Sequence, residues 1–532
     1  MYHNEHMYKP VILVILDGFG RGPENAANAI FKAKKPTIDF IEKNFPMTNL
    51  QASGIAAGLP WGEEGNSEVG HLNLGSGRIV YQYLPRIIFA IRDGSFFKNP
   101  ALAELAEHVK KNNSALHIVG LVGQGNVHSY IDHLYAILDF AKSQNMASVF
   151  IHAFADGRDS PPKDAFDFYQ KLENKISQEY PFAKIATLIG RHFAMDRDNN
   201  WDRTEKTYRL LTESKGEAFD NVQAAIKSDY DKNITDEFLE PKVVLHPSAN
   251  GGNSIKDGDA VFFLDFREDS IRQLVQVFIE KDFNKFKRNK PENIYFATMT
   301  RYGENSSAHV LFEPLKVENT LAEVISKADK FQIHIAETEK YAHITYFFNG
   351  EVEEPFKNEE RVLVPSGHDG NYVNDPAMSA KNVTDEILKA INSKKYDFII
   401  ANYANADMIG HTGDLNATIA AIEALDNEMK QITDLVLSKN YVLLITADHG
   451  NADEEINLLT GVPYTEHTLN PVPFYLIANE FKREKKSEEV ELKKLETEGI
   501  LADVAPTILE LMGMPQPAEM TGKSLIKLIA GK

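Results

Sequence analysis

The chain has 532 residues, 43% hydrophobic and 25% charged, which is the composition of a folded globular protein and too long for one ordinary core; two domains are expected and three are allowed. The net charge of −20 argues against a nucleic-acid partner, because neutralising phosphates needs a basic face, and a small anionic substrate would need a local cluster of arginines and lysines. With no cysteine there is no disulfide, thiolate nucleophile or thiolate metal site; no apolar run is long enough for a membrane span, and the opening MYHNEHMYKP lacks the layout of a secretory signal, so a cytoplasmic protein is expected.

In chain order, VILVILD (11–17) reads as the first buried strand and ends in Asp17. EGNSEVGHLN (64–73) then sets Ser67 among Gly and Asn punctuation. Ser67 followed by Glu68 reads as a helix N-cap, and alternatively as a hydroxyl placed for nucleophilic work. Further strands are expected at HIVGLV (117–122), SVFIHAFAD (148–156), KIATLIG (184–190), AVFFLDF (260–266), NIYFATM (293–299), DFIIANY (397–403) and YVLLITAD (441–448). Helical patterns fall at 130–143, 164–178, 203–215, 270–281, 379–392 and 415–438. Buried strands alternating with amphipathic helices predict an α/β fold with parallel sheets covered on both faces. The polar stretch 479–499 reads as a charged helix or surface loop, and no internal repeat or low-complexity segment is present.

Three strand ends carry unusual residues: Asp17, then Asp407 and His411 in DFIIANYANADMIGHTGD, then Asp448 and His449 in VLLITADHGNAD. Each has a plain reading as a turn, a strand cap or a surface residue. Their recurrence at the carboxyl ends of strands, where parallel sheets collect ligands, favours a site. Asp407 and His411 share a face if helical, and YTEHTLNP adds His467. Three Asp, three His and Ser67 suit two divalent ions with oxygen and imidazole ligands; ligand softness admits manganese, zinc, iron or cobalt. Two such ions about 4 Å apart would clamp a phosphoryl transfer, with Ser67 activated as the acceptor.

Between about 82 and 315 the same pattern carries cations. GNVHSYIDH gives His128, ADGRDSPP gives Asp156, Arg158 and Asp159, IGRHFAMDRDNNWDR gives Arg191, Arg197 and Arg203, and LDFREDSIRQ gives Arg267 and Arg272. Arginines just past strand ends suit a bidentate grip on phosphate or carboxylate, or pair with neighbouring acids. His128 and His133 lie five residues apart, poorly phased for one helix face, so His128 reads as a substrate contact rather than half of a metal pair.

These segments, with IAETEKYAHITYFFNG, NYANADMIGHTGD, TADHGNAD, EHTLNPVPF and ADVAPTILELMGMPQPAEMTGKSL, run in order from end to end. Together they closely resemble the cofactor-independent phosphoglycerate mutases, a branch of the alkaline-phosphatase superfamily. The resemblance implies two α/β domains. A phosphatase-like, metal-binding domain with a parallel sheet would come from 1–81 and 316–532. An inserted phosphotransferase domain, 82–315, would bind substrate, with the active site in the cleft and two linkers as hinges. One metal would be held by Asp407, His411 and His467, the other by Asp17, Ser67, Asp448 and His449. Manganese is the expected ion, with magnesium, cobalt or zinc as alternatives, and no bisphosphoglycerate is needed. Substrate contacts would fall on His128, Arg158, Asp159, Arg191, Arg197, Arg267 and Lys340.

The implied activity interconverts 2- and 3-phosphoglycerate, in glycolysis and gluconeogenesis, through phosphoserine on Ser67. Lys340 would offset charge on the transferring group and Asp159 would shuttle protons. The resemblance leans to a monomer with a small anionic substrate and neither nucleic-acid nor membrane partners. A metal-dependent phosphomonoesterase or another phosphomutase on the same metal core is the alternative, and it need not keep the arginine set. A silent binding protein would lack the nucleophile. One departure stands out: many members carry a second arginine three residues after Arg267, where this chain has Ser270. On a helix Arg272 would point about 160° away from that position. Either Arg272 substitutes after a backbone adjustment, or the anion is gripped with one arginine fewer. The first residues of the chain have no assignable role.

Overall fold

A computed structural model of the protein describes residues 9–245, 254–303, 306–367 and 372–531; residues 1–8, for which the sequence gives no role, lie outside them. The chain divides into two compact units, Met1–Gln82 with Lys316–Lys532, and Tyr83–Leu315.

The first unit is built on an eight-stranded sheet, in the order Glu359–Val364, Gln332–Glu337, Phe398–Tyr403, Val11–Leu16, Val442–Thr446, Val472–Ile477, Met47–Gln51, Thr497–Ile500. Val11–Leu16 is apolar and buried at all six positions, which suits an inner strand covered on both faces. It pairs in parallel with Phe398–Tyr403 on one side and Val442–Thr446 on the other. The three strands whose ends carry Asp17, Asp407 and Asp448 are therefore neighbours. Ile15 pairs with Thr446, so two residues further along Asp17 stands level with Asp448. The long helix Leu415–Lys439 buries Ala417, Ala421, Ile422, Leu425, Met429, Ile432 and Val436, the three- and four-residue spacing of one helix face.

The sheets are predominantly parallel, as expected, with antiparallel pairings in each. Val472–Ile477 runs antiparallel to both Val442–Thr446 and Met47–Gln51. After Thr446 the chain makes an excursion at the strand's carboxyl end, carrying His449 and His467, and returns directly along the next position. A direct return gives an antiparallel pair, whereas a parallel one needs a crossover.

The second unit has its own eight-stranded sheet, in the order His309–Phe312, Tyr295–Thr300, Ala260–Phe263, Leu116–Leu121, Val149–Ala155, Ala183–Gly190, Lys242–Val244, Glu217–Phe219. Leu116 and Ile118 bury into one apolar cluster, Val119 and Leu121 into another, so helices cover both faces. Here too one pairing, Ala183–Gly190 with Lys242–Val244, is antiparallel. Each expected strand and helix forms with shifted ends, and the polar stretch 479–499 contains the helix Ser487–Leu495. Short strands of mixed polarity, such as MTNLQ at Met47–Gln51, carry no pattern that sequence reading could separate from a loop.

Helix Pro36–Asn44 starts without a side-chain cap of its own. Buried Asp426, on the long helix, supplies one: its carboxylate accepts the N–H groups of Thr37 at 3.0 Å and Ile38 at 2.8 Å. Asp426→Ala strands both donors and is expected to cost about 2 kcal/mol. The check is a lower urea midpoint with an unchanged slope.

Candidate functional site

Ser67 is the first residue of helix Ser67–Ser76, and the N-cap is Asn66, whose side chain accepts from the Val69 N–H at 2.9 Å. The N-cap reading of Ser67 is thus corrected by one residue, and its hydroxyl serves elsewhere. Ser67 Oγ donates to Asp17 Oδ1 at 3.1 Å, stands 2.9 Å from His449 Nε2 and accepts from Lys340 Nζ at 2.8 Å. Lys340, buried in a turn after strand Gln332–Glu337, also donates to Asp17 Oδ1 at 2.7 Å and Asp407 Oδ2 at 2.6 Å. Two glycines permit this crowding. A Cβ on Gly18, whose φ is +74°, would lie 2.8 Å from the Asp407 Cα, and one on Gly70 would lie 2.8 Å from the Asp448 Cβ.

The expected Asp and His ligands, together with His71, which was not among them, fall into adjoining groups. Asp407, His411 and His467 bring ligand atoms within 4.8 Å of one another, as do Asp17, Asp407 and His449, and Asp17, His71 and Asp448. The His449 and His467 rings stack at 3.9 Å, which joins the groups. The donor chemistry fits divalent ions. His411 Nδ1 and His467 Nδ1 face the carbonyls of Thr465 and Gly65 at 2.8 and 2.7 Å, so each ring turns its Nε2 lone pair towards Asp407. Both Nε2 atoms lie 3.3 Å from Asp407 Oδ1. Asp448 Oδ2 is buried without a hydrogen-bond donor.

Charge dominates the electrostatics. Burial alone would push the Asp17 and Asp407 carboxyls up, but the Lys340 ammonium heads the opposing influences and holds both well below the usual range. Burial would likewise lower Lys340, and Asp17, Asp407 and Asp448 instead hold it above the usual lysine value. His411 is raised by its contact with Asp407.

The expected substrate residues other than Lys340 lie past strand ends of the second unit. Arg191 donates to Asp156 Oδ1 at 2.7 Å and to Asp159 Oδ2 at 2.5 Å. Arg197 donates to Asp269 Oδ2 at 2.8 Å, while Arg267 Nε and His128 Nδ1 lie 3.4 and 3.7 Å from Asp269 Oδ1. Arg158 pairs with Glu237. Burial, followed by Arg191, pushes His128 below its ordinary value. Ser270 is buried beside Asp269, and Arg272 pairs with Glu268 one helical turn away. Arg203, outside the expected set, binds Asp196.

Sequence reasoning missed Asp269, around which His128, Arg197 and Arg267 gather, and three residues about Ser67. His71 lies one helical turn after the serine, Asn402 donates to Asp17 Oδ2 at 2.8 Å, and Asn451 donates to Asp407 Oδ1 at 2.9 Å. The spacing from Ser67 to His71 could have signalled the first; neutral amides carry no such mark. Among the described residues no helix is long and apolar enough to cross a membrane.

Comparison with known proteins bears on this geometry. The model of the Metalloenzyme superfamily matches residues 9–516. The 2,3-bisphosphoglycerate-independent phosphoglycerate mutase of Clostridium novyi is 48% identical over 520 residues, covering 98% of this chain and 99% of its own. That of Moorella thermoacetica is 47% identical over 519 residues, covering 97% and 98%. The crystal structure of Leishmania mexicana phosphoglycerate mutase at low cobalt concentration aligns with a TM-score of 0.57 and 31% identity, over 98% of each chain.

Burial would lower His449, but Asp448 and Asp17 raise it to about 9. In metal-free protein its folded value thus exceeds the ordinary 6.5, so its protonation adds stability that is full below 6.5 and is lost as pH rises through 9. Burial raises Glu455 to about 8, which acts in the same sense. EDTA-treated protein is expected to unfold at lower urea above pH 9 than at pH 6.5. His449→Gln should shrink that difference, and an undiminished difference would remove His449 as its source.

Proposed function

We propose that this chain, which belongs to the 2,3-bisphosphoglycerate-independent phosphoglycerate mutases of the Metalloenzyme superfamily, runs its reaction on Ser67 with two divalent metal ions beside it. The enzyme is an isomerase: it moves a phosphoryl group between the 2- and 3-hydroxyls of glycerate. The observation that carries the assignment to Ser67 is the convergence of Lys340 Nζ, His449 Nε2 and Asp17 Oδ1 within 2.8–3.1 Å of its Oγ.

Asp407, His411 and His467 would hold one ion, and Asp17, Ser67, Asp448 and His449 the other, with manganese proposed for both. When bound, the ions supply positive charge that favours deprotonated Ser67 and offsets charge on the phosphoryl oxygens. Ser67 Oγ attacks phosphorus; the P–Oγ bond forms as the bond from phosphorus to the glycerate oxygen breaks. Lys340 offsets charge on the group in transfer. Because Ser67 opens a helix, its phosphoryl oxygens stand at the positive end of the peptide dipoles. The departing glycerate oxygen takes a proton from Asp159. On return, Asp159 accepts the proton of the other hydroxyl as that oxygen attacks phosphoserine, so the cycle consumes no net proton.

Between the two transfers the glycerate must stay bound. Arg158, Arg191, Arg197, Arg267 and His128 supply that grip, a local cationic cluster in a chain of net charge −20. A cytoplasmic monomer without nucleic-acid or membrane partners completes the proposal, with the absence of cysteine in its support.

Metal-loaded protein is expected to convert 3-phosphoglycerate to 2-phosphoglycerate without added bisphosphoglycerate, followed by 31P NMR. EDTA should stop conversion and Mn²⁺ should restore it. Ser67→Ala should abolish turnover with the fold retained, and normal turnover in that variant would remove Ser67 as the nucleophile. Inorganic phosphate as the main product would favour a phosphomonoesterase. Since Arg272 pairs with Glu268 and not with Asp269, around which His128, Arg197 and Arg267 gather, Arg272→Ala should leave kcat/KM within about two-fold, whereas Arg267→Ala should lower it roughly 10- to 100-fold. Equal losses would give Arg272 the grip.

A further inference from the structure

We propose that His71 and Asn402 are positioning residues for the metal held beside Ser67, an inference that rests on the metal reading above. Both are buried, and neither belongs to the expected ligand set. His71 Nδ1 lies 2.8 Å from the Ser67 carbonyl oxygen, and its Nε2 lies 2.9 Å from the Asn402 amide nitrogen. A carbonyl only accepts and an amide nitrogen only donates, so Nδ1 carries the hydrogen and Nε2 offers its lone pair. The second amide hydrogen of Asn402 goes to Asp17 Oδ2, 2.8 Å away. The opposite amide orientation would set the Asn402 oxygen against a carboxylate, acceptor facing acceptor.

The chain of contacts fixes which oxygen of Asp17 is turned to Ser67. Its Oδ2 is tied to Asn402, and its Oδ1 faces Ser67 Oγ at 3.1 Å, Lys340 Nζ at 2.7 Å and His449 Nε2 at 3.4 Å. On the other side, His71 Nδ1 lies 3.2 Å from Asp448 Oδ2, the buried oxygen without a hydrogen-bond donor. The imidazole is thus wedged between the two carboxylates assigned to one ion and is bonded to the backbone of the serine that completes the set. Gly70 lets the same helical turn press on Asp448, because any side chain there would meet its Cβ at 2.8 Å. Helix, ring and amide form one frame that orients Asp17, Asp448 and Ser67 before an ion arrives. Frames of this kind commonly govern metal affinity by roughly 10- to 100-fold.

The test is Mn²⁺ titration of EDTA-stripped full-length protein, followed by calorimetry and by the EPR signature of spin-coupled Mn²⁺ pairs. Wild type should take up two ions and show the coupled signal. His71→Leu and Asn402→Ala should each weaken one site roughly 10- to 100-fold while the other stays within about two-fold, and the coupled signal should fade at Mn²⁺ levels that saturate wild type. His71→Gln keeps an acceptor near the Nε2 position and should recover most of the loss, which mere repacking would not explain. Wild-type affinity and EPR signal in His71→Leu and Asn402→Ala overturn the positioning role while leaving the metal reading intact. A wild type that takes up no Mn²⁺ overturns both. If His71→Leu shows no cooperative urea transition, Asn402→Ala decides alone, and unchanged affinity there overturns the proposal.

Discussion

Three carboxylates, those of Asp17, Asp407 and Asp448, are buried together at one end of a sheet, and that concentration of negative charge must be met by cations. Charges removed from water repel strongly, and an unpaired one is costly. Lys340 is drawn among them, the imidazoles of His411, His449 and His467 stand beside them, and the donor set left over suits divalent ions. The origin of the constraint is the sheet itself. Parallel pairing of Val11–Leu16 with both neighbours ends three strands at one level, so residues that each strand carries just past its end have to meet.

The setting of Ser67 follows from the same crowding. Because Asn66 satisfies the helix N-terminus, the serine hydroxyl is released from capping and turned to Asp17, His449 and Lys340. Glycines at 18 and 70 remove the Cβ atoms that would hold the elements apart. In the proposed role of nucleophile, a serine at a helix start would gain from the peptide dipoles as its product acquires negative charge.

Under the proposed function the second unit meets the opposite problem, how an acidic chain would keep cations ready for an anion. Each expected arginine is held by a carboxylate: Arg191 by Asp156 and Asp159, Arg197 and Arg267 by Asp269, Arg158 by Glu237. The two readings open to these arginines, gripping an anion or pairing with acids, are not exclusive. Pairing keeps a guanidinium in one geometry, so less freedom is lost when an anionic ligand takes up its hydrogen bonds.

The sequence by itself determined whatever depends on local pattern. Near-continuous apolar runs marked the inner strands, three- and four-residue spacing marked the helices, and charged residues directly after apolar runs marked Asp17, Asp407, Asp448 and the arginines. Resemblance in motif and order supplied the family. Edge strands of mixed polarity such as EERVLV stayed silent, because half-exposed strands read like loops. Only the tertiary structure decided which residues meet. Lys340 reaches Asp17 across 323 positions of sequence, and Asn402 reaches both Asp17 and His71. Such pairings follow from strand register and from backbones brought close at glycine, and a neutral amide or one more buried histidine carries no local sign of the partner it will find. Burial is written in short-range periodicity, whereas the orientation of a ligand is set by contacts that exist only once the sheet has closed.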